Sequence, residues 1–324
     1  MEKKEMYYDR VLSSNFAQLL EIGNELNWLF ELVKKRSDLD FLIGRNNSKE
    51  WISVYRGLSR CVTINPKEKI DGAKAYKEIV PKLYGNKLDF EKELKELLSI
   101  IEKIPKFDRY YNNKKEGYYQ NDFSRKYGVL SDANSEFVII DKEAVIGYKN
   151  EKIKEEIFAS LQKRYKKIQK HISSINAKRY GKDLDKKSIG NELDFLALDK
   201  SGNLLLIEFK HGTNTAGIYL SPIQIGLYYD IFTKYYKDYK IDFEYTIFKM
   251  LEQKQKIGLI SSDWQRPTSI KGIVPLLVIS EYNYKSSAKA KFNEIMSICR
   301  NEFGSDFLQK IETHNFTKLQ LIKW

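Results

Sequence analysis

Two carboxylates and a lysine stand where two expected strands end together. Glu192-Leu-Asp194-Phe-Leu-Ala-Leu198 reads as one strand, and Asp199-Lys-Ser-Gly-Asn203 as a turn pivoting on Gly202. Leu204-Leu-Leu-Ile-Glu208-Phe-Lys210 reads as the next strand. Alternate side chains of a strand share a face, so Glu192 goes with Asp194 and Glu208 with Lys210. If the hairpin pairs across its turn, Asp194 and Glu208 meet on one face. Leu193, Phe195, Ala197, Leu205, Ile207 and Phe209 make the opposite face apolar, and Leu204 and Leu206 extend that character to the near face. Such a sheet is covered on both sides. Charges at its end must be paired, bound to metal, or poised for work.

The oxygen-rich set suits a hard divalent ion. Asp194, Glu208 and the backbone carbonyl of Phe209 offer ligands for Mg²⁺ or Mn²⁺, with water completing the shell. Such an ion polarises a phosphoryl oxygen and acidifies a bound water. Lys210 would orient or deprotonate that water, or stabilise the negative charge that develops on the phosphate.

The pattern Asp194…Glu208-Phe209-Lys210 resembles the signature of the PD-(D/E)XK nuclease superfamily, the restriction-endonuclease-like fold. No proline precedes Asp194, a position that varies in the family. Gln224-Ile-Gly-Leu-Tyr228 resembles the Gln-x-x-x-Tyr motif of its RecB-like branch. Residues four apart share a helix face. The resemblance implies that Gln224 joins the catalytic set by bonding a phosphate, a metal-bound water or Lys210, and that Tyr228 contacts the substrate backbone. Members often carry a further acid on the first core helix. Glu155 and Glu156 are the candidates here, with Glu156 preferred as a metal ligand beside the apolar stripe. The resemblance spans residues 136–324 and is carried by residues 190–230.

The elements that must position these residues follow the family order of helix, three strands, helix, strand. Ile153, Ile157, Leu161, Tyr165, Ile168 and Ile172 make a helix over Glu151–Ser174. Its polar side carries Lys163, Arg164, Lys166, Lys167 and Lys170, a solvated face on which Lys167 is the candidate phosphate contact. Helices over Pro222–Tyr236 and Ser286–Phe303 and strands over Gly272–Ser280 and Lys318–Trp324 complete the expectation. Glu136–Ile140 and Ala144–Tyr148 read as a strand pair around Asp141-Lys142-Glu143.

Upstream, one long helix is expected over Asn15–Lys35. Short strands follow over Leu39–Ile43, Trp51–Tyr55 and Cys61–Ile64, then helices near Asp71–Val80 and Asp89–Ile104. The tyrosine-rich, basic stretch Lys106–Gly128 reads as a linker or a binding loop. The expected organisation is an α+β domain over residues 1–130 for substrate or partner binding, then a nuclease-like α/β domain over 131–324. The latter would have a mixed central sheet flanked by helices. Asp38-Leu-Asp40-Phe-Leu42 faintly echoes Glu192-Leu-Asp194-Phe-Leu196.

The net charge of +12 favours a polyanionic partner. The two cysteines, Cys61 and Cys299, are far apart and the three histidines are scattered, which argues against a zinc cluster. No run of apolar residues is long enough to span a membrane, and the first residues lack a secretory pattern. These features point to a cytoplasmic Mg²⁺- or Mn²⁺-dependent nuclease, on DNA before RNA, with no membrane partner. By family analogy it would serve as an endonuclease in restriction or antiviral defence. The N-terminal domain leaves room for a homo-oligomer or a protein partner. The alternatives are an RNA-directed nuclease, or a catalytically silent nucleic-acid-binding protein of the same fold.

Overall fold

Among the described residues the apolar periodicities resolve into helices and three sheets, the smallest a pairing of Met6–Tyr7 with Gly147–Tyr148. The computed structural model describes residues 4–24, 26–46, 49–64, 70–72, 95–96, 99, 111–182, 184–186, 188–190, 192–303, 311–318 and 320–324. The chain divides into two compact units. One gathers Asp9–Val138 and Phe248–Gln265, the other Met1–Tyr8, Ile139–Ile247 and Arg266–Trp324.

In the first unit the expected long helix is two: α1 (Ser14–Leu20) and α2 (Asn27–Lys35). The break falls at Gly23, whose φ of 88° lies in the left-handed region. Asn27 then donates to the freed Leu20 carbonyl at 3.0 Å. The apolar spacing hides the break because both helices bury the same kind of face, through Phe16, Leu20, Leu29, Phe30 and Val33. Ile22, inside the break, is 70% exposed.

Strands β1 (Asp40–Asn46), β2 (Lys49–Arg56), β3 (Ser59–Ile64) and β4 (Ile70–Gly72) form an antiparallel four-stranded sheet in sequence order. Of the helix expected over Asp71–Val80, residues 71–72 end β4 and the remainder lies outside the described residues. The helix expected over Asp89–Ile104 is described only at residues 95, 96 and 99, all helical.

The described part of the tyrosine-rich stretch is no open loop. It forms α3 (Glu116–Ser124), which continues as a π turn over Arg125–Val129. Phe123 and Tyr127 are buried against Phe137. The Arg125 guanidinium donates to the carbonyls of Val33, Lys34 and Leu39 at 2.9, 2.9 and 2.6 Å. It thereby closes the C-terminal end of α2, whose last carbonyls have no partner within the helix.

The second unit is mixed α/β, with a six-stranded mixed sheet flanked by helices. In chain order its elements are β5 (Phe137–Ala144), α4 (Ser160–Ile175), β6 (Leu193–Asp199), β7 (Asn203–His211), α5 (Thr215–Asp238), α6 (Lys240–Ile257), β8 (Gly272–Ser280), α7 (Ala288–Phe303), β9 (Glu312–Thr317) and β10 (Gln320–Lys323). The chain crosses between units inside β5 and inside α6. The strands lie in the order β10-β9-β8-β7-β6-β5. The β6/β7 hairpin is antiparallel, and β7/β8 and β8/β9 are parallel. Parallel neighbours need a crossover, supplied between β7 and β8 by α5 and α6.

Three expectations are corrected in this unit. Asp141 is not a turn: β5 runs through it, and its carboxylate accepts from the Tyr8 hydroxyl at 2.5 Å and the Lys142 amide at 2.9 Å. The strand ends instead near Glu143, where φ is 51°. The strand expected over Lys318–Trp324 is β10, and Lys318, with φ 47°, lies before it; β9 over Glu312–Thr317 is not among the expected strands. Helix α5 begins seven residues before Pro222, which lies inside it. Asn214 caps its start, accepting from the Gly217 amide at 2.9 Å. Pro222 has no N–H for the Ile218 carbonyl, and the Ser221 hydroxyl donates to that carbonyl at 2.7 Å instead. Among the described residues, no helix is long and apolar enough to cross a membrane.

Candidate active site

The β6/β7 register sets the geometry. Phe195 pairs with Ile207, the last matched couple before the strands part. One step further along the same register puts Asp194 opposite Glu208, on the face that also carries Lys210. The Lys210 ammonium bonds Glu208 Oε1 directly and lies 3.9 Å from Asp194 Oδ2. The Glu208 side chain is 0% exposed, Lys210 10% and Asp194 24%. The group therefore meets solvent mainly through Asp194.

On the β8 side its neighbours are hydrocarbon. Strand β8 lies alongside β7 and sets Leu277 beside Glu208 and Ile279 beside Lys210. Burying a carboxylate there is costly unless a cation accompanies it. Lys210 is that cation, and the low local dielectric strengthens the pairing.

Asp194 is fixed from the other side. The Phe209 amide donates to Asp194 Oδ2 at 2.8 Å. That amide points toward β6, and in an antiparallel strand a residue's N–H and C=O point the same way. The Phe209 carbonyl thus faces the edge that carries Asp194. Two carboxylates and a carbonyl make a hard, all-oxygen donor set, which fits Mg²⁺ or Mn²⁺ in chemistry. Among the described residues, no group of three or more His, Cys, Asp and Glu side chains is placed to hold a metal.

Helix α5 brings two more of the expected residues to this corner. The Tyr228 hydroxyl donates to the Glu192 carbonyl at 2.6 Å, and Gln224 Nε2 donates to the Tyr228 oxygen at 3.3 Å. Burial raises the Tyr228 hydroxyl's pKa well above its ordinary value, and the Glu208 and Asp194 charges push the same way. The ring is 2% exposed, so Tyr228 lies beneath the surface. The helix is held to α4 by the Tyr165 hydroxyl, which donates to Asp230 at 2.8 Å.

Two expected residues are not gathered here. Glu156 is exposed on the π turn Glu155–Ala159, with Lys152 4.0 Å away as its ion-pair partner. Lys167 is exposed on α4. The outward face of that helix also holds Lys163 and Lys170, as a solvated face would. His211 follows Lys210 on the opposite side of the strand, and its Nδ1 lies 2.8 Å from Thr213 Oγ1.

Gly190 is the residue that reading the sequence missed. Its φ is 97°, and a Cβ there would stand 2.7 Å from the Tyr228 hydroxyl and 2.8 Å from Gln224 Nε2. The available signal was a glycine four positions before Asp194, at the entry to a strand. Its meaning depends on α5, which is distant in sequence. Glu192 contributes its backbone carbonyl to this contact.

The chain matches no family model, no curated protein and no solved structure in the comparisons.

Proposed function

We propose that this chain is a metal-dependent nuclease of the PD-(D/E)XK type, hydrolysing phosphodiester bonds of nucleic acid. The observation that carries this reading is the Lys210 ammonium, set between the Glu208 and Asp194 carboxylates at the mouth of a hairpin walled by hydrocarbon. A purely structural ion pair does not need a third charge with an opening to solvent.

Asp194 and Glu208, with the Phe209 carbonyl, would hold Mg²⁺ or Mn²⁺. The ion supplies a Lewis acid for the phosphoryl oxygen and an acidified water. Asp194 offers its carboxylate from the solvent side, in an orientation set by the Phe209 amide. Lys210 presents a fixed positive charge where negative charge develops on the phosphate, and a preorganised charge in a dry site is worth more than one in water. Gln224, whose Nε2 reaches the Tyr228 oxygen at 3.3 Å, would offer its second N–H as a further donor. The excess of lysine and arginine favours a polyanionic substrate, and the net charge is +12. The preference for DNA over RNA, and a role in restriction or anti-phage defence, follow from the family resemblance alone.

The test is cleavage of linear duplex, circular duplex, single-stranded DNA and RNA, each with Mg²⁺, Mn²⁺ or EDTA. Lys210→Ala should lower the rate by about 10²–10³-fold, the scale of losing one transition-state contact. Asp194→Asn should abolish the response to metal. Absence of metal-stimulated cleavage on every substrate, or its survival in both variants, refutes the reading. Cleavage of circles would identify an endonuclease, and a requirement for ends an exonuclease.

A further inference from the structure

We propose that Tyr228, Gln224 and Gly190 form a clamp on the entry to β6, and that Tyr228 and Gly190 are positioning residues rather than substrate contacts. Its consequence for metal binding rests on the nuclease reading above, whereas the clamp itself does not.

The clamp closes on backbone. The Tyr228 hydroxyl donates to the Glu192 carbonyl, two residues before Asp194, at 2.6 Å. The β6/β7 pairs run from Leu198–Leu204 to Phe195–Ile207, one step short of Asp194. Two bonds at this segment are the Tyr228 bond at Glu192 and that of the Phe209 amide to the Asp194 carboxylate at 2.8 Å, while β5 lies along the other edge of β6. Gln224 Nε2 donates to the Tyr228 oxygen at 3.3 Å and holds it on the carbonyl. Gly190 completes the fit by omission. A methyl group at 190 would stand 2.7 Å from the same oxygen, and its φ of 97° also disfavours any other residue.

The ring is 2% exposed, and its hydroxyl is already committed to a carbonyl. A phosphate would have to break that bond to reach it. The helix thus acts on the carboxylate through the strand, and a change at Tyr228 should appear at Asp194 and Phe209.

Tyr228→Phe keeps the ring and removes the bond. Amide hydrogen exchange at Phe209, measured in EDTA, should rise about tenfold, the weight of one hydrogen bond. Mn²⁺ affinity measured by calorimetry should fall about 10–100-fold, as when an outer-shell partner of a ligand is lost. Oligonucleotide binding in EDTA should not change. Gly190→Ala should act the same way, and less so in the Tyr228→Phe background, where the oxygen it would strike is gone.

Weaker oligonucleotide binding with unchanged Phe209 exchange would make Tyr228 a substrate contact and overturn the proposal. So would exchange rising evenly across the sheet in step with a lower Tm, since Tyr228 would then be a packing residue. If the unaltered chain binds no Mn²⁺, the nuclease reading fails, and Phe209 exchange still decides whether the clamp exists.

Discussion

The Phe209 amide donates to Asp194 Oδ2 at 2.8 Å, so the backbone of one strand aims a side chain of its neighbour. An asparagine at 194 keeps an acceptor oxygen for that amide, while an alanine removes it. Asp194→Asn should therefore change stability by less than about 1 kcal/mol, and Asp194→Ala should cost about 1 kcal/mol more, the net worth of a hydrogen bond. Urea unfolding measures both. Mn²⁺ binding should be lost in both, because neither keeps the charge. Equal stability of the two variants would mean that the amide bond does not hold Asp194.

Glu208 and Lys210 should behave as one unit. Lys210→Met takes the ammonium away from a carboxylate that is 0% exposed. Breaking a buried pair this way typically costs about 3–5 kcal/mol. Adding Glu208→Gln removes the remaining charge and should restore most of that loss. The double-mutant cycle, read from urea midpoints, then gives a coupling well above the ~1 kcal/mol of an exposed pair. Additive losses would show that Lys210 does not compensate Glu208.

Ser221 and Pro222 offer a test of the helix that carries Gln224 and Tyr228. Ser221→Ala strands the Ile218 carbonyl, which the Ser221 hydroxyl now satisfies at 2.7 Å. Leaving a buried acceptor without a partner costs roughly 1–3 kcal/mol. Replacing Pro222 by alanine in the same chain returns the missing backbone N–H to the position that reaches Ile218. The double variant should therefore be more stable than Ser221→Ala alone. If Pro222→Ala brings no recovery, the hydroxyl is not standing in for the amide.

How far the sequence could be read depends on the range of the interaction. The alternation over β6 and β7 and the turn at Gly202 are local, and they were enough to bring Asp194, Glu208 and Lys210 to one face. The break at Gly23 was hidden because the apolar spacing continues across it. The start of α5 is not legible because Pro222 is a strong stop signal, whereas in the fold the Ser221 hydroxyl takes up the carbonyl bond that Pro222 cannot make. Glu156 lies beside an apolar stripe in sequence, but the π turn leaves it exposed. The grouping of residues 248–265 with 9–138, and the contact of Gly190 with α5, join segments remote in sequence. No local pattern encodes them.

Asp122 should give the first unit a distinct response to pH. Burial raises its carboxyl to about 6 from an ordinary value of 3.8, with Arg125 opposing the shift. The folded chain then holds this proton more tightly than the unfolded chain does. The stabilisation it provides is complete below about pH 4 and is lost as pH rises through about 6. Neighbouring groups titrate too: Asp38, despite its own burial, is lowered by its bonds to Arg36 and Arg56, and so acts in the opposite sense at lower pH. Comparing the chain with Asp122→Asn at each pH isolates the one carboxyl, because the rest cancel. Relative to the unaltered chain, the variant should be most stable near neutrality, and its advantage should shrink steadily on acidification through that window. Urea midpoints across the window measure the difference, and a gap that does not change with pH would mean that Asp122 titrates normally in the folded state.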